Sequence, residues 1–474
     1  MRSPAPTTAR TALELTIAEL APGGDGVAIA EVDGERRAVF TRGVAPGDRV
    51  RLAVDLSKRP ARGRLVEVLT AGASRVPSPC AHVERCGGCD WMHVAAQAQT
   101  AAHEAHVRAA LPRAWRAHPI EVHAAPATDA LRYRERARLH VRASGGRAIV
   151  GMNEAGTRDP VEVDTCVVLR PELERARASL GPLLEGAHGT GDAQIALGAV
   201  PETDTPRKPV LDLRWSGALA PRCYAQLERA VADGAWAGAR VVAGDTTRPA
   251  TIGAPTPWMV GYDGEPLKLA PGGFGQASAA ANARLAARVG ELAASTSAER
   301  VVELYAGTGN LTVAIARAIL GGARAEIIAV EAQREACEAA QVNLVARNLR
   351  ARVIEEDAAS FAWDKATSLI VLDPPRTGAR EVAARLALSP VRHVLYVSCD
   401  AQTLGRDLAI LCGEDEDAPL YAPVAIELFE MFPQTSHVET VVLLERSPSG
   451  ARAARERARS GRTVDTARAA KRTP

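Results

Sequence analysis

Three cysteines crowd a turn-rich stretch, Ser74-Arg-Val-Pro-Ser-Pro-Cys80-Ala-His-Val-Glu-Arg-Cys86-Gly-Gly-Cys89. Thiolates at this spacing can grip a metal. With the distant Cys166 they number four, enough to close a tetrahedral zinc or iron–sulfur site. The spacing does not separate those two metals. Cys399 stands apart from them, after the apolar run His393-Val-Leu-Tyr-Val-Ser and before Ala401-Gln-Thr-Leu-Gly-Arg, which reads as a helix. A cysteine at a helix N-terminus meets partial positive charge, so Cys399 is expected to have a lowered pKa and to act as a nucleophile, with Asp400 opposing that effect. Glu439 opens the last apolar run, after Phe432-Pro-Gln-Thr-Ser-His437-Val, and can serve as a general base if folding brings it to the substrate face. The other cysteines, Cys223, Cys337 and Cys412, read as core.

A second group of residues could hold a nucleotide-like ligand. Glu303-Leu-Tyr305-Ala-Gly-Thr-Gly-Asn310 follows an apolar strand and opens a helix, and its glycines let the backbone approach a ligand closely. The next strand ends at Glu331, where a carboxylate can accept from ribose hydroxyls. A third ends near Asp357, placed to meet an adenine edge, and a fourth in Asp373-Pro-Pro-Arg376-Thr-Gly378. Acids at successive strand ends in this order resemble a class I S-adenosylmethionine methyltransferase rather than a dehydrogenase.

Elements that must position these residues follow from the patterning. Residues 11–70 alternate β-rich runs with GGDG, DGE and APGD breaks, which predicts five short strands in a small barrel of the oligonucleotide-binding type. A helical stretch over about 94–117 and strands through 120–150 come next. Segments between about 165 and 265 mix apolar runs with Pro/Gly breaks and suggest no chemistry. Beyond about 280, helices alternate with the strands RVVELYA, AEIIAVE, ARVIEE, SLIVLDPP, HVLYVSC, APVAIELF and HVETVVLLE, which implies a parallel sheet. The expected organisation is thus multidomain α/β: a barrel over 10–72, a central α+β domain with the cysteine loop over 73–265, a Rossmann-like domain over 266–446 and a basic, disordered tail over 447–474.

Composition bounds the class. The 474 residues are 47% hydrophobic and 24% charged, which excludes a disordered or membrane-embedded chain. No apolar run reaches a membrane-spanning length, and the first residues lack the apolar core of a signal peptide. A cytoplasmic protein is therefore expected, in which cysteines serve as ligands, catalysts or core rather than disulfides. Net charge is +2, yet the last 28 residues carry eight Lys/Arg and two Asp/Glu. Such a tail could tether RNA without sequence preference or could simply be solvated.

Taken together, the motifs resemble the RNA uracil-5-methyltransferase family, particularly its ribosomal RNA members. Phe274-Gly-Gln276, the Tyr305–Asn310 loop, Asp373-Pro-Pro-Arg376, Val397-Ser-Cys399 and His437-Val-Glu439 fall in family order. The resemblance implies an N-terminal TRAM barrel and a [4Fe-4S] cluster on Cys80, Cys86, Cys89 and Cys166. It also implies an S-adenosyl-L-methionine site lined by Gln276, Tyr305, Asn310, Glu331, Asp357 and Asp373, with Cys399 as nucleophile and Glu439 as base. The implied reaction is C5-methylation of a specific uridine in 23S ribosomal RNA by a monomer, with no membrane and no protein partner.

Three departures from the family pattern stand out. Glu303-Leu-Tyr-Ala-Gly replaces Asp-Leu-Phe-Cys-Gly, Ser278 replaces an asparagine, and Asp400-Ala401 replaces Asn-Pro, adding charge beside the thiol. Competing readings are the same reaction on transfer RNA, a radical methylthiotransferase, an amino-group methyltransferase and a non-catalytic RNA-binding relative. A methylthiotransferase would show Cys-x3-Cys-x2-Cys rather than x5 and x2, and an amino-group methyltransferase has no use for Cys399 or Glu439.

Overall fold

The computed structural model describes residues 10–198, 207–244, 248–320, 325–415 and 417–452. The first sheet comprises β1 (Thr11–Thr16), β2 (Glu19–Leu20), β3 (Gly26–Val32), β4 (Glu35–Thr41), β5 (Arg49–Asp55) and β6 (Ala61–Thr70), in the order β1-β5-β6-β4-β3-β2. The run LELTIAEL, expected as one strand, forms two. Ile17 and Ala18 leave the ladder and donate their N–H groups to Asp48 O (2.9 Å) and Val27 O (2.8 Å). Since β1 and β2 form opposite edges of the sheet and are neighbours in the chain, the sheet rolls back on itself around Ile17, Val39, Val50 and Leu52.

Helix α1 (Ala96–Ala110) and the short β7 (Glu121–His123) come next in the chain but pack elsewhere, as described below. The second sheet is built from β8 (Arg136–Ser144), β9 (Arg147–Gly151), β10 (His188–Leu197), β11 (Pro209–Ala218), β12 (Gly238–Ala243) and β13 (Ala250–Gly253). Its order is β13-β12-β11-β10-β8-β9. Helices α2 (Pro171–Leu183) and α3 (Pro221–Ala232) share its core, which includes Leu173, Leu180, Ile195, Leu213 and Trp236. A two-stranded ribbon of β14 (Trp258–Val260) and β15 (Pro266–Lys268) follows.

The third sheet carries the candidate site. In chain order its elements are α4 (Ala279–Ser295), β16 (Arg300–Leu304), α5 (Asn310–Leu320), β17 (Glu326–Glu331), α6 (Arg334–Ala346), β18 (Arg352–Glu355), β19 (Leu369–Leu372), α7 (Arg380–Leu388), β20 (His393–Ser398), α8 (Ala401–Cys412), β21 (Tyr421–Phe429) and β22 (Glu439–Arg446). All seven runs expected from the sequence appear, in the order β18-β17-β16-β19-β20-β22-β21. The first five are parallel, whereas β22 runs antiparallel between β20 and β21. Both faces are buried, so the strands read as apolar runs without polar alternation. Val302, Leu304, Ile370, Leu372 and Tyr396 face one layer, while Val301, Leu369, Val371, Leu395 and Val397 face the other.

Residues expected to fall in the central domain extend this sheet. β7 pairs in parallel with β21 as an eighth strand, and Leu111 and Trp115, just beyond α1, join the core under α7 and α8. A single cut at residue 265 therefore does not separate the packing units, because 96–123 travel with the C-terminal sheet. The basic tail lies outside the described residues from position 453 onward. Among the described residues no helix is long and apolar enough to cross a membrane.

Candidate active site

The antiparallel β22 decides where Glu439 sits. Ser398, the last residue of β20, pairs with Thr440, and Glu439 pairs with Phe429 on the other side. Cys399 continues β20 by one residue, so it emerges beside Glu439 at the carboxyl edge of the parallel strands. Asp373 leaves the adjacent β19 at the same edge, immediately after the Leu372–Tyr396 pair. Three residues some 26 and 40 positions apart along the chain are thus side by side at one sheet edge.

Their electrostatics are those of a crowded, acidic strand edge, with Glu439 buried and Asp373 and Cys399 partly so. Burial pushes the half-buried Cys399 thiol up to about 12, with Glu439, Asp373 and Asp400 adding and Arg376 opposing. Burial and Asp373 hold the Glu439 carboxyl well above the usual carboxylate range, again against Arg376. Asp373 is raised to about 7 by burial. The expected low thiol pKa is therefore corrected. Cys399 precedes the N-cap of α8 rather than entering its first turn, and burial, with the neighbouring carboxyls adding, outweighs any help from the helix end. Asp400 is that N-cap: its Oδ1 accepts from Thr403 N–H at 2.8 Å. Asn and Asp cap equally well, so replacing the family asparagine preserves the helix start while adding charge.

The glycine loop after β16 leaves the same carboxyl edge of the sheet, one strand over from Asp373. Tyr305 adopts a left-handed φ of 65°, and Gly307 and Gly309 follow at 56° and 80°. A Cβ on Gly309 would lie 3.2 Å from the Ala340 Cβ of α6, so both the backbone conformation and the close helix demand glycine. Glu331, at the end of β17, accepts from Gly307 N–H (2.9 Å) and Gln333 N–H (2.8 Å), fastening the loop to the neighbouring strand. Burial raises the Tyr305 hydroxyl to about 12, with Asp357 adding, which places those two residues near one another. Asn310 forms a reciprocal amide pair with the fully buried Asn282 of α4 at 2.8 and 2.9 Å. Its side chain thus braces the loop.

Gln276 Oε1, in the segment leading into α4, is buried without a partner, whereas the buried Glu303 has Thr312 of α5 as its hydrogen-bonding neighbour. Burial raises Glu303 to about 8, with Asp373 and Glu331 adding. Orphaned buried acceptors are costly unless a ligand satisfies them. The segment bearing Gln276 is held by the second sheet. Gly273 O accepts from Gln194 Nε2 (3.2 Å) and from Arg136, and Glu135 N–H donates to Ala277 O at 2.7 Å. Ser278, standing where the family has asparagine, N-caps α4 through Ala281 N–H (3.2 Å). Phe274 lies exposed beside this segment.

Cys80, Cys86, Cys89 and Cys166 line one cavity between the cysteine loop and the second sheet, together with Val83, Met92, Arg134 and Val168. All four carry free thiols. Burial raises Cys86, Cys166 and Cys89, the last to about 12, and the sulfurs disfavour one another's ionisation. Four convergent thiols in an apolar chamber suit a soft metal centre, which would displace their protons. Cys223, Cys337 and Cys412 are buried in the core, as expected. Two polar neighbours of the site were given no role from the sequence. Arg376 is the cation beside Cys399 and Glu439, and its Nη2 lies 3.3 Å from His437 Nε2. Asp90 binds the segment leading to Glu439; its place directly after Cys89 was the available signal.

The profile of the tRNA (Uracil-5-)-methyltransferase family matches residues 357–447, and that of the Methyltransferase small domain matches residues 270–393. The 23S rRNA (uracil(1939)-C(5))-methyltransferase RlmD of Chromohalobacter salexigens is 32% identical across 93% of this chain and 91% of its own. The enzyme of the same name from Halomonas elongata is 34% identical across 93% and 90%. The crystal structure of Pyrococcus abyssi tRNA (uracil-54, C5)-methyltransferase with S-adenosyl-L-homocysteine superposes with a TM-score of 0.68, covering 91% of this chain and all of that one at 19% identity. The fold is that of a class I S-adenosylmethionine methyltransferase. Within that class, the chain belongs to the RNA uracil-5-methyltransferase family.

Proposed function

We propose that this enzyme methylates C5 of one uridine in 23S ribosomal RNA, the position corresponding to the 1939 named for its relatives. The observation that carries the mechanism is the convergence of Cys399, Glu439 and Asp373 at adjoining strand ends beside the glycine loop. Uracil C5 is too weak a nucleophile to take a methyl group unaided. Cys399 gives up its thiol proton to solvent, its thiolate Sγ adds to C6, and the ring electrons pushed towards C5 give it enolate character. S-adenosylmethionine supplies an electrophilic methyl on a sulfonium centre when bound. Glu439 then removes the C5 proton from the methylated adduct, and Cys399 leaves as the 5,6 double bond re-forms. For this sequence Glu439 must be ionised at that step, and its burial beside Asp373 gives it the high proton affinity a strong base needs.

Gln276, Tyr305, Glu331, Asp357 and Asp373 would hold the methyl donor, with Asn310 acting through its pairing with Asn282. The unpartnered Gln276 oxygen fits a donor-rich ligand. Cys80, Cys86, Cys89 and Cys166 would hold a [4Fe-4S] cluster. The rolled first sheet would be a TRAM barrel that grips single-stranded RNA while the target base leaves its stack, at a cost of a few kcal/mol. The protein would work in the cytoplasm as a monomer, with barrel, central and methyltransferase regions divided near 72 and 265 except that residues 96–123 pack with the methyltransferase sheet.

Mass spectrometry of 23S ribosomal RNA fragments, after incubation with anaerobically purified protein and S-adenosylmethionine, tests the reading. One methyl gained on a single uridine is expected. Methylation of transfer RNA alone would overturn the substrate, and no transfer to either RNA would overturn the reaction. Cys399→Ala should abolish transfer while sparing RNA binding. Glu439→Gln should trap a covalent RNA adduct on a denaturing gel. Iron and acid-labile sulfide analysis of the same preparation tests the cluster, and zinc in their place would overturn it.

A further inference from the structure

The residues that follow Cys89 reach across to the segment that carries Glu439. Asp90 Oδ2 accepts from both the backbone N–H (3.2 Å) and the hydroxyl (2.9 Å) of Ser436. Its other oxygen faces Arg42 Nη2 of the first-sheet region at 3.4 Å. Trp91, with no exposed surface, donates its backbone N–H to Gln434 O (3.0 Å) and its indole N–H to Gly24 O (3.2 Å). Gly24 is at a φ of 93°, and a Cβ there would lie 2.5 Å from Asp90, so the turn closes tightly on this residue.

Three successive carbonyls of the turn over residues 432–436, which leads to Glu439, are caught from outside it. Pro433 O accepts from Tyr133 OH (3.3 Å), Gln434 O from Trp91, and Thr435 O faces His103 Nε2 (3.0 Å). The Gln99 amide adds a reciprocal pair with Gln434: Gln434 N–H donates to Gln99 Oε1, and Gln99 Nε2 to Gln434 Oε1, both at 3.1 Å. Gln434 itself takes a left-handed φ of 71°, a conformation that needs outside support. The turn thus has little internal freedom, and its position is dictated by α1 and the cysteine loop. Glu439 begins β22 only three residues after Ser436.

We propose that Asp90 is a positioning residue for the base: by holding Ser436 it transmits the placement of the cysteine loop to Glu439. This rests on the reading of Glu439 as the group that removes the C5 proton. If the clamp opens, Glu439 is misplaced after Cys399 has already added to C6 and C5 has been methylated. The C5–H bond then breaks slowly, the proton stays on carbon, and the methylated covalent adduct persists because Cys399 cannot leave. Cofactor and RNA contacts elsewhere remain intact, so the defect falls on turnover and not on binding.

The test compares full-length wild type, Asp90→Ala, Ser436→Ala and the double variant, each purified anaerobically with its metal content measured. Both single variants should lose about 10- to 100-fold in kcat, the scale of a roughly 1 Å misplacement. KM for RNA should hold, and the fraction of RNA in denaturant-resistant adduct should rise. The double variant should be no worse than the poorer single one, since both cut the same link. Unchanged kcat, or kcat and adduct falling together, would overturn the proposal. If Asp90→Ala does not fold, Ser436→Ala, which removes one hydroxyl, decides the matter by the same adduct and KM readouts. Glu439→Gln separates the two readings: no adduct there overturns the base assignment, whereas adduct there but not in the clamp variants overturns only the role of Asp90.

Discussion

At the scale of single residues, the chemistry turns on a thiol that its surroundings keep protonated. Burial and three carboxyl groups hold Cys399 near 12, and Arg376 is the cation that pulls it back. The thiolate is thus scarce in the free enzyme at neutral pH. The sign for activity follows: kcat/KM should climb as pH rises from about 6 to 9, without levelling, as the carboxyls and then the thiol give up protons. A flat profile measured with a short RNA substrate would remove the thiol from the rate-governing steps. Arg376→Met should lower kcat/KM by about 10-fold, a modest loss because Arg376 is exposed and solvent partly screens its charge. Binding of S-adenosylhomocysteine by calorimetry should be unaffected in that variant; a parallel loss of affinity would make Arg376 a cofactor ligand instead.

At the scale of elements, the glycine loop between β16 and α5 is a strained object held in place by its neighbours. Tyr305 at a φ of 65° costs about 1–2 kcal/mol relative to ordinary backbone. Glu331 and the Asn282–Asn310 pair stabilise that conformation from β17 and α4. Gly309→Ala adds both backbone strain and a contact with α6, so cofactor affinity should fall by about 1–3 kcal/mol, roughly 5- to 150-fold. Calorimetry with S-adenosylhomocysteine checks this, and wild-type affinity would show that α6 yields. The caps on α4 and α8 explain how the chain departs from its family without losing these helices: Ser278 and Asp400 are both good N-cap residues.

At the scale of the whole molecule, the three sheets are linked through the cysteine segment. Asp48 in the first-sheet region is completely buried and accepts from Ala45 N–H (2.6 Å), Gly72 N–H (2.9 Å) and Arg75 (2.7 Å). Burial works against its charge, but these donors more than offset that, so its carboxyl lies below the ordinary value. A depressed carboxyl contributes stability above its unfolded pKa of about 3.9, and that contribution is lost as pH falls through the lower folded value. Asp48→Ala should therefore cost roughly 1–3 kcal/mol at neutral pH, and the difference from wild type should shrink towards pH 3. Thermal melts across that range check it; a gap that stays constant with pH would mean the loss is packing alone.

Much of this molecule was legible along the chain. The seven strands of the third sheet, the glycine loop, the acids at strand ends and the cysteine cluster are local patterns, set by which residues are apolar and which are small or charged over five to ten positions. Local patterns carry no information on what lies across a sheet edge. The split of LELTIAEL at Ile17 depends on an acceptor at Asp48, far along the chain. The attachment of 96–123 to the C-terminal sheet depends on β21, some 300 residues later. The same limit explains the error at Cys399. Its helix is visible from residues 400 to 412, but the burial that chiefly raises its proton affinity, and the carboxyls of Glu439 and Asp373 that add to it, come from β22 and β19 packing beside it. Residue types thus determined which chemistry was available, whereas strand order, by choosing the neighbours of each charge, decided in which protonation state each group waits.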